Sequence, residues 1–433
     1  MSINGSSLPS TIFGLISRAL GDKMTKTRRS FFSWTRNLMA AGGVAGIAPG
    51  ADAAVPATDY YAKLGVTKII NAAGTYTALT ASTMPPQVRA AVDAAAMSPV
   101  RLAELQQKSG EYIARRLRCE AAMVTAGASA ALTLGTAACM TLGNRAAVAL
   151  LPLDVGSLKN EVIVQKGHRY GYDHAIRNCG TRFVEVETLA QYEAAFTPKT
   201  VMCHFFNAAE HGQISREDWV RVAHAHGVPC FNDAAADVPP ISNLWAYTQM
   251  GFDLVTFSGG KGIRGPQNAG LLLGRKDLIE AATWSSSPRD ETVGRGMKVA
   301  KEQIVGMVAA VDWFLSQTDE GMQAEFRARA ERIAARLKDI PGIRYEIFVP
   351  PLANAIPHLL IRYDQAKHRP PLEISAALRA GTPSIELNPA TGRRSGSAGL
   401  PNAEDAIIVG VWMLQPGEDV IVANRLREAL LAV

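Results

Sequence analysis

Residues 253–274 read DLVTFSGGKGIRGPQNAGLLLG. Two apolar runs flank a glycine-rich turn that presents a single lysine, Lys261, between Gly260 and Gly262. Short runs of this kind, almost uniformly apolar and closed by Gly, Asn or Asp, suit strands buried on both faces of a mostly parallel sheet. Five more lie upstream: AAMVTAG (121–127), EVIVQ (161–165), RFVEV (182–186), VMCHFF (201–206) and VPCFND (228–233). Helical patterns alternate with them, such as 215–226, where Ser215 and Asp218 have capping-box spacing. Alternating β and α elements predict a doubly wound α/β domain.

Beyond 285–298 (SSSPRDETVGRGMK) the rhythm changes. A periodic helix at 301–317 and a charged one at 320–338 precede the runs IRYEIF, HLLIRY and DAIIVGVW, a helix near 371–380 and a closing helix. That order predicts a small α+β domain over 316–433, behind a large α/β domain over 54–315 that includes an N-terminal segment.

Ligands of open α/β sheets bind at the carboxyl ends of the strands, and three strand ends carry chemistry. In VTAGASAALTLG, Gly127, Ala128 and Ser129 open a helix of small residues, whose free N–H groups suit a phosphate. The pattern is not G-x-G-x-x-G, which disfavours a dinucleotide. Asp233 closes a buried strand, where a carboxylate is costly without a cation or strong donor; a helix N-cap is the plain alternative. Lys261, 28 residues later, sits where desolvation favours the neutral, nucleophilic amine, although a surface loop lysine looks the same in sequence. Together the three supply what pyridoxal 5'-phosphate requires. The lysine forms a Schiff base, the carboxylate keeps the pyridine nitrogen protonated, and the helix start holds the phosphate.

The chain resembles the fold-type I pyridoxal-phosphate enzymes, the class with the aspartate aminotransferase-like transferase fold. Within it, the likeness is to the selenocysteine-synthase-like group that includes D-glucosaminate-6-phosphate ammonia lyase. IINAAGTYTALTASTMPPQV (69–88), VQKGHRYGYDHAIRNCG (164–180), FNDAAADVPP (231–240), FSGGKGIRGPQNAGLLLGRKDLI (257–279) and GRGMKVAKEQIVGMVAAV (294–311) carry it, in order. The resemblance implies a homodimer or higher oligomer, a Schiff-base role for Lys261, a pyridinium partner in Asp233, and phosphate contacts from Gly127, Ala128, Ser129 and Ser258. It nominates His168 to stack on the cofactor ring. Arg362 and then Arg295 are candidates for a substrate carboxylate, because Arg grips one in bidentate fashion. Thr75 and Tyr76 are placed at the entrance.

The implied reaction is an α,β-elimination converting a hydroxy amino acid or amino-sugar acid into a 2-oxo acid and ammonia, with His168 or His211 protonating the leaving hydroxyl. Transamination, racemisation and aldol cleavage begin from the same cofactor–substrate adduct. A selenium transferase is disfavoured because the N-terminal region is short and signal-like. A non-catalytic binding protein is disfavoured by the joint presence of Lys261 and Asp233.

Residues 27–53, TRRSFFSWTRNLMAAGGVAGIAPGADA, pair Arg28-Arg29 with a weakly apolar centre and an Ala-x-Ala site. They resemble a twin-arginine export signal over 1–53, with Met24 a second candidate start. Export to the periplasm is expected; an uncleaved cytoplasmic chain is the alternative. Of the net charge of +6, residues 1–53 hold six basic residues against two acidic ones. The other 380 residues therefore carry only +2, which gives no support to a nucleic-acid partner. No apolar stretch reaches the ~18 residues of a membrane span. The five cysteines lack C-x-x-C spacing, so neither a disulfide scaffold nor a metal site is expected.

Overall fold

The computed structural model describes residues 58–209, 212, 214–394 and 399–432. The signal-like stretch 1–53 lies outside them. The described part of the segment that ends at Gly65 is one exposed turn of helix, α1 (Tyr60–Leu64), started by Asp59 and stopped by Gly65 at φ +69°.

From Val66 onward, twelve strands follow in chain order: β1 (Ile69–Ala72), β2 (Ala121–Thr125), β3 (Glu161–Gln165), β4 (Arg182–Val186), β5 (Thr200–Phe206), β6 (Cys230–Asp233), β7 (Leu254–Ser258), β8 (Gly270–Gly274), β9 (Arg344–Phe348), β10 (His358–Arg362), β11 (Ser384–Leu387) and β12 (Ala406–Gly410). The helices used below are α2 (Pro86–Ala96), α3 (Leu102–Leu117), α4 (Ala128–Thr141), α5 (Arg216–Ala225), α6 (Asn243–Met250), α7 (Lys276–Trp284), α8 (Lys301–Leu315), α9 (Asp319–Leu337), α10 (Pro371–Ala380) and α11 (Glu418–Leu431).

A seven-stranded sheet runs in the order β2-β8-β7-β6-β5-β3-β4, and the predicted apolar runs supply all seven strands. β8 alone is antiparallel to its neighbours. Side chains alternate between the sheet faces, as a period of two requires. Leu271 and Leu273 join one buried cluster with Val255, Phe257, Ile304 and Trp219. Leu272 joins the other, with Leu254, Phe231, Leu134 and Leu278. Both faces are covered, which is why these strands read as continuous apolar runs.

The C-terminal part builds a three-stranded antiparallel sheet, β12-β10-β9, backed by α9, α10 and α11. β1, from the start of the chain, pairs in parallel with β11 and buries Ile70 and Ala72 in this same cluster. Four-residue strands with half-buried patterns give little periodic signal, and neither β1 nor β11 stood out in the sequence.

Candidate active site

The carboxyl ends of β5, β6 and β7 lie side by side in the sheet, and the start of α4 meets β8 next to β7. Asp233, the last residue of β6, is buried. Its Oδ1 accepts from the Ala235 N–H at 3.0 Å, and its Oδ2 accepts from the Tyr170 hydroxyl. Burial raises its proton affinity; the Tyr170 and Ala235 donors and the Lys261 charge pull it back down. Lys261, partly buried, follows β7 in the turn closed by the Arg264 N–H to Lys261 C=O bond. Desolvation lowers its affinity for a proton, opposed by the charges of Asp233 and Asp237. The sequence-predicted acid and lysine thus lie within electrostatic reach of one another.

Glycine makes the Lys261 turn possible by close approach. A Cβ on Gly260 would lie 2.7 Å from Gln267 Cα, and one on Gly262 2.2 Å from the Val238 carbonyl oxygen. The candidate phosphate nest is assembled the same way. Gly127, at φ +87°, caps α4 without a side chain, and β8 begins directly against it. A Cβ on Gly270 would lie 2.6 Å from Gly127 C and 2.8 Å from Ala128 N. Gly270 pairs in register with Ser258, so Ser258, Gly127 and Ala128 are brought together, and Ser129 is exposed on the first turn of α4.

The segment bearing Thr75 and Tyr76 lies over the lysine turn. Ser82 Oγ donates to the Gly260 C=O (2.7 Å), Gln267 Nε2 to the Thr77 C=O (3.4 Å), and Arg264 Nε to the Thr83 C=O (2.8 Å). Tyr76 accepts from Asn388 Nδ2 at 3.2 Å, and Thr75 is partly buried beside it.

Three nominations are altered. His168 is buried and already engaged. Its Nδ1 accepts from the Phe206 N–H at 3.3 Å, and its ring meets Phe205 edge-on with centroids 4.4 Å apart. Burial, with the Arg216 charge, pushes its pKa down to about 4, so it is neutral near pH 7. The ring that reaches Asp233 is that of Tyr170, two residues on. Arg362 is ion-paired with Asp405 and bonded to the Asn402 C=O at 2.9 Å. The Ala355 N–H to Pro239 C=O bond ties the chain ahead of β10 to the segment after β6. Arg362 ends β10, some four residues beyond His358 and roughly 13 Å further along the strand at ~3.3 Å per residue. Its pair with Asp405 is partly exposed. Arg295 is on a half-exposed loop, 3.6 Å from Asp290 and 3.4 Å from Ser287, with no bond to the lysine turn. His211 lies outside the described residues.

The structure also adds a buried polar web beneath the crevice. Tyr247 donates to Asp237 Oδ2 (3.1 Å), Arg216 Nε donates to Asn207 Oδ1 (2.8 Å), and the Asn207 N–H bonds the Asp233 C=O (3.2 Å). Burial pushes Asp237 up to about 6. Asp237 lay in the quoted FNDAAADVPP stretch, four residues from Asp233, and only its burial marks it out.

These residues fit pyridoxal phosphate. A desolvated amine faces a buried carboxylate, and a cradle of backbone N–H groups stands next to them, kept open by the missing Cβ atoms of Gly127 and Gly270. A sheet with one reversed strand, an acid and a lysine at neighbouring strand ends, and a small C-terminal sheet define the fold-type I class of pyridoxal-phosphate enzymes. Within that class the chain belongs to the SelA family: the family described as L-seryl-tRNA selenium transferase matches residues 69–356.

The chain is 30% identical to D-glucosaminate-6-phosphate ammonia lyase of Salmonella typhimurium (strain 14028s / SGSC 2262), over 85% of this chain and 97% of that one. It is 31% identical to the 5'-C-glycyluridine monooxygenase-decarboxylase of a Streptomyces species, over 76% of this chain and 83% of that one. The solved structure of a D-glucosaminate-6-phosphate ammonia-lyase superposes with a TM-score of 0.72 at 30% identity, covering 86% of this chain and 98% of that one.

Proposed function

We propose that this protein is a pyridoxal-phosphate-dependent lyase that converts a hydroxy amino acid or amino-sugar acid into a 2-oxo acid and ammonia. The observation that carries it is the pairing of buried Asp233 with desolvated Lys261, in a chain that matches an ammonia lyase over nearly its whole length. When bound, the cofactor supplies an aldehyde for amines and a ring that accepts an electron pair. Gly127, Ala128, Ser129 and Ser258 hold its phosphate, and Asp233 accepts from the ring nitrogen.

Lys261 is the residue that moves protons. Desolvation leaves its amine accessible as a base at the substrate Cα, and the proton it takes up is then available for the β-hydroxyl. His168 is the weaker candidate for that second step, because burial disfavours its protonated form at neutral pH. The balance is simple: the β-hydroxyl leaves as water, one water returns to hydrolyse the enamine, and ammonia departs. Thr75 and Tyr76 border the entrance. We place the carboxylate grip of the substrate away from Arg362, whose guanidinium Asp405 already holds.

The similarity to a monooxygenase-decarboxylase favours one second reading, an oxygen-consuming reaction on an amino acid. Ammonia release from a panel of D- and L-hydroxy amino acids and amino-sugar acids, run with an oxygen electrode, separates the two. Lys261→Ala is expected to abolish the visible band of the purified protein and its turnover; full activity in that variant overturns the proposal. We further propose that the protein works as a homo-oligomer and is exported by its twin-arginine stretch.

A further inference from the structure

Resting on the pyridoxal-phosphate reading, we propose that Tyr170 is a positioning residue that holds Asp233 as an oriented, hydrogen-bonded carboxylate for the cofactor's ring nitrogen. The argument begins with how firmly Tyr170 itself is set. It follows β3 in a segment clamped by charge. Asp173, buried, receives Arg169 Nε at 2.6 Å and lies 3.8 Å from Arg177, and Arg169 also pairs with Glu185 and lies over the Phe183 ring. The Tyr170 ring stacks on Phe206, parallel with centroids 3.8 Å apart, and lies nearly parallel to His204 at 6.0 Å. The stacked phenol points its hydroxyl at Asp233, and Asp233 Oδ2 accepts its proton.

The hydrogen-bond inventory then fixes a three-membered chain. The Tyr170 proton goes to Asp233, so its oxygen is free to accept, and His204 Nε2 stands 3.5 Å away. Burial lowers His204 to about 3, so the ring is neutral, and the proton on Nε2 is the tautomer that bonds Tyr170. The order is His204 to Tyr170 to Asp233. With Ala235 N–H on Oδ1, both carboxylate oxygens have a donor, and each keeps a lone pair for the ring nitrogen. Without Tyr170 the buried carboxylate keeps only one donor and loses the contact that fixes its plane, and its neutral form gains. A neutral Asp233 cannot hold a proton on the ring nitrogen, and the ring then becomes a poorer electron acceptor.

The groups facing this chain are Asp173 on Tyr170's own turn, His168 beside His204, and Lys261 and Asp237 around Asp233. The test uses the full-length holoenzyme with Tyr170→Phe, which keeps the ring stacked on Phe206. The expected result is at least a tenfold weaker affinity for added pyridoxal phosphate and a displaced pH midpoint of its visible band, with the far-ultraviolet spectrum unchanged. In an Asp233→Asn background, adding Tyr170→Phe is expected to cost no further cofactor affinity, because Tyr170 acts through Asp233. Wild-type affinity and midpoint in Tyr170→Phe, or losses that add independently in the double variant, overturn the inference. A wild-type protein that takes up no pyridoxal phosphate overturns the cofactor reading and this inference together.

Discussion

At the scale of single residues, the site is a set of polar groups taken out of water, and pH reports on them. His168 and His204 are buried with pKa values lowered to about 4 and about 3, against 6.5 when exposed. Between those values and 6.5 the unfolded chain binds the proton and the folded protein does not. Their neutral burial is therefore a stability present above pH 6.5 that is lost as the pH falls toward the folded values. The loss is on the order of 2 kcal/mol for each histidine between pH 7 and pH 5. Urea titrations of the wild type are expected to show falling midpoints over that interval, and His204→Phe to show a shallower fall. An equal fall in both would mean that other groups carry the acid sensitivity. The same shift weighs against His168 as the acid its place in the sequence suggested. Type and position of His168 were legible; its protonation depends on burial against Phe205 and Phe206 and on the Arg216 charge, which arrive from elsewhere in the chain.

At the scale of elements, two glycines separate packing from binding. Gly135 lies in the middle of α4, where a Cβ would lie 2.4 Å from Phe231 Cε1 in the buried layer. Gly135→Ala is an overpacking change, and chemical denaturation is expected to show a loss of about 1–3 kcal/mol. Gly270 meets backbone at the start of α4, so Gly270→Ala must move the turn that presents the Gly127 and Ala128 N–H groups. It is expected to weaken pyridoxal-phosphate affinity by tenfold or more in a direct titration, whereas folded Gly135→Ala retains wild-type affinity. Equal effects of the two changes on affinity would argue against a phosphate nest at this turn. The elements themselves were largely legible. Six of the seven strands of the large sheet stand in the sequence as apolar runs because both faces there are covered, while edge strand β4 is half exposed and mixes Arg182 and Glu185 into its run. Lys261 and Asp233 were legible because each closes or follows such a strand. What escaped was long-range: β1 finds β11 across more than three hundred residues, and Tyr170 meets Asp233 across 63. Neither pairing leaves a local periodicity. Arg362 shows the opposite case: a strand-borne arginine reads alike in sequence whatever it meets, and in the structure it meets Asp405.

At the scale of the whole molecule, charge is unevenly placed, and its distribution bears on destination. Six of the basic residues fall in 1–53, among them Arg28 and Arg29 ahead of the apolar stretch and the Ala51-Asp52-Ala53 site. Among the described residues no helix is long and apolar enough to cross a membrane. Passage as a folded protein suits a chain whose lysine, acid and phosphate nest are assembled from four separate strand ends, because a cofactor can join only after those ends have met. On the proposed twin-arginine route, cofactor uptake precedes transport. Expression of the full chain in a bacterial host is expected to place the visible cofactor band in the periplasmic fraction. Changing Arg28 and Arg29 together to Lys is expected to hold the protein in the cytoplasm with its band intact, because neither arginine belongs to the site. Periplasmic delivery of the double-lysine variant, or delivery of a chain without cofactor in the wild type, would refute this route.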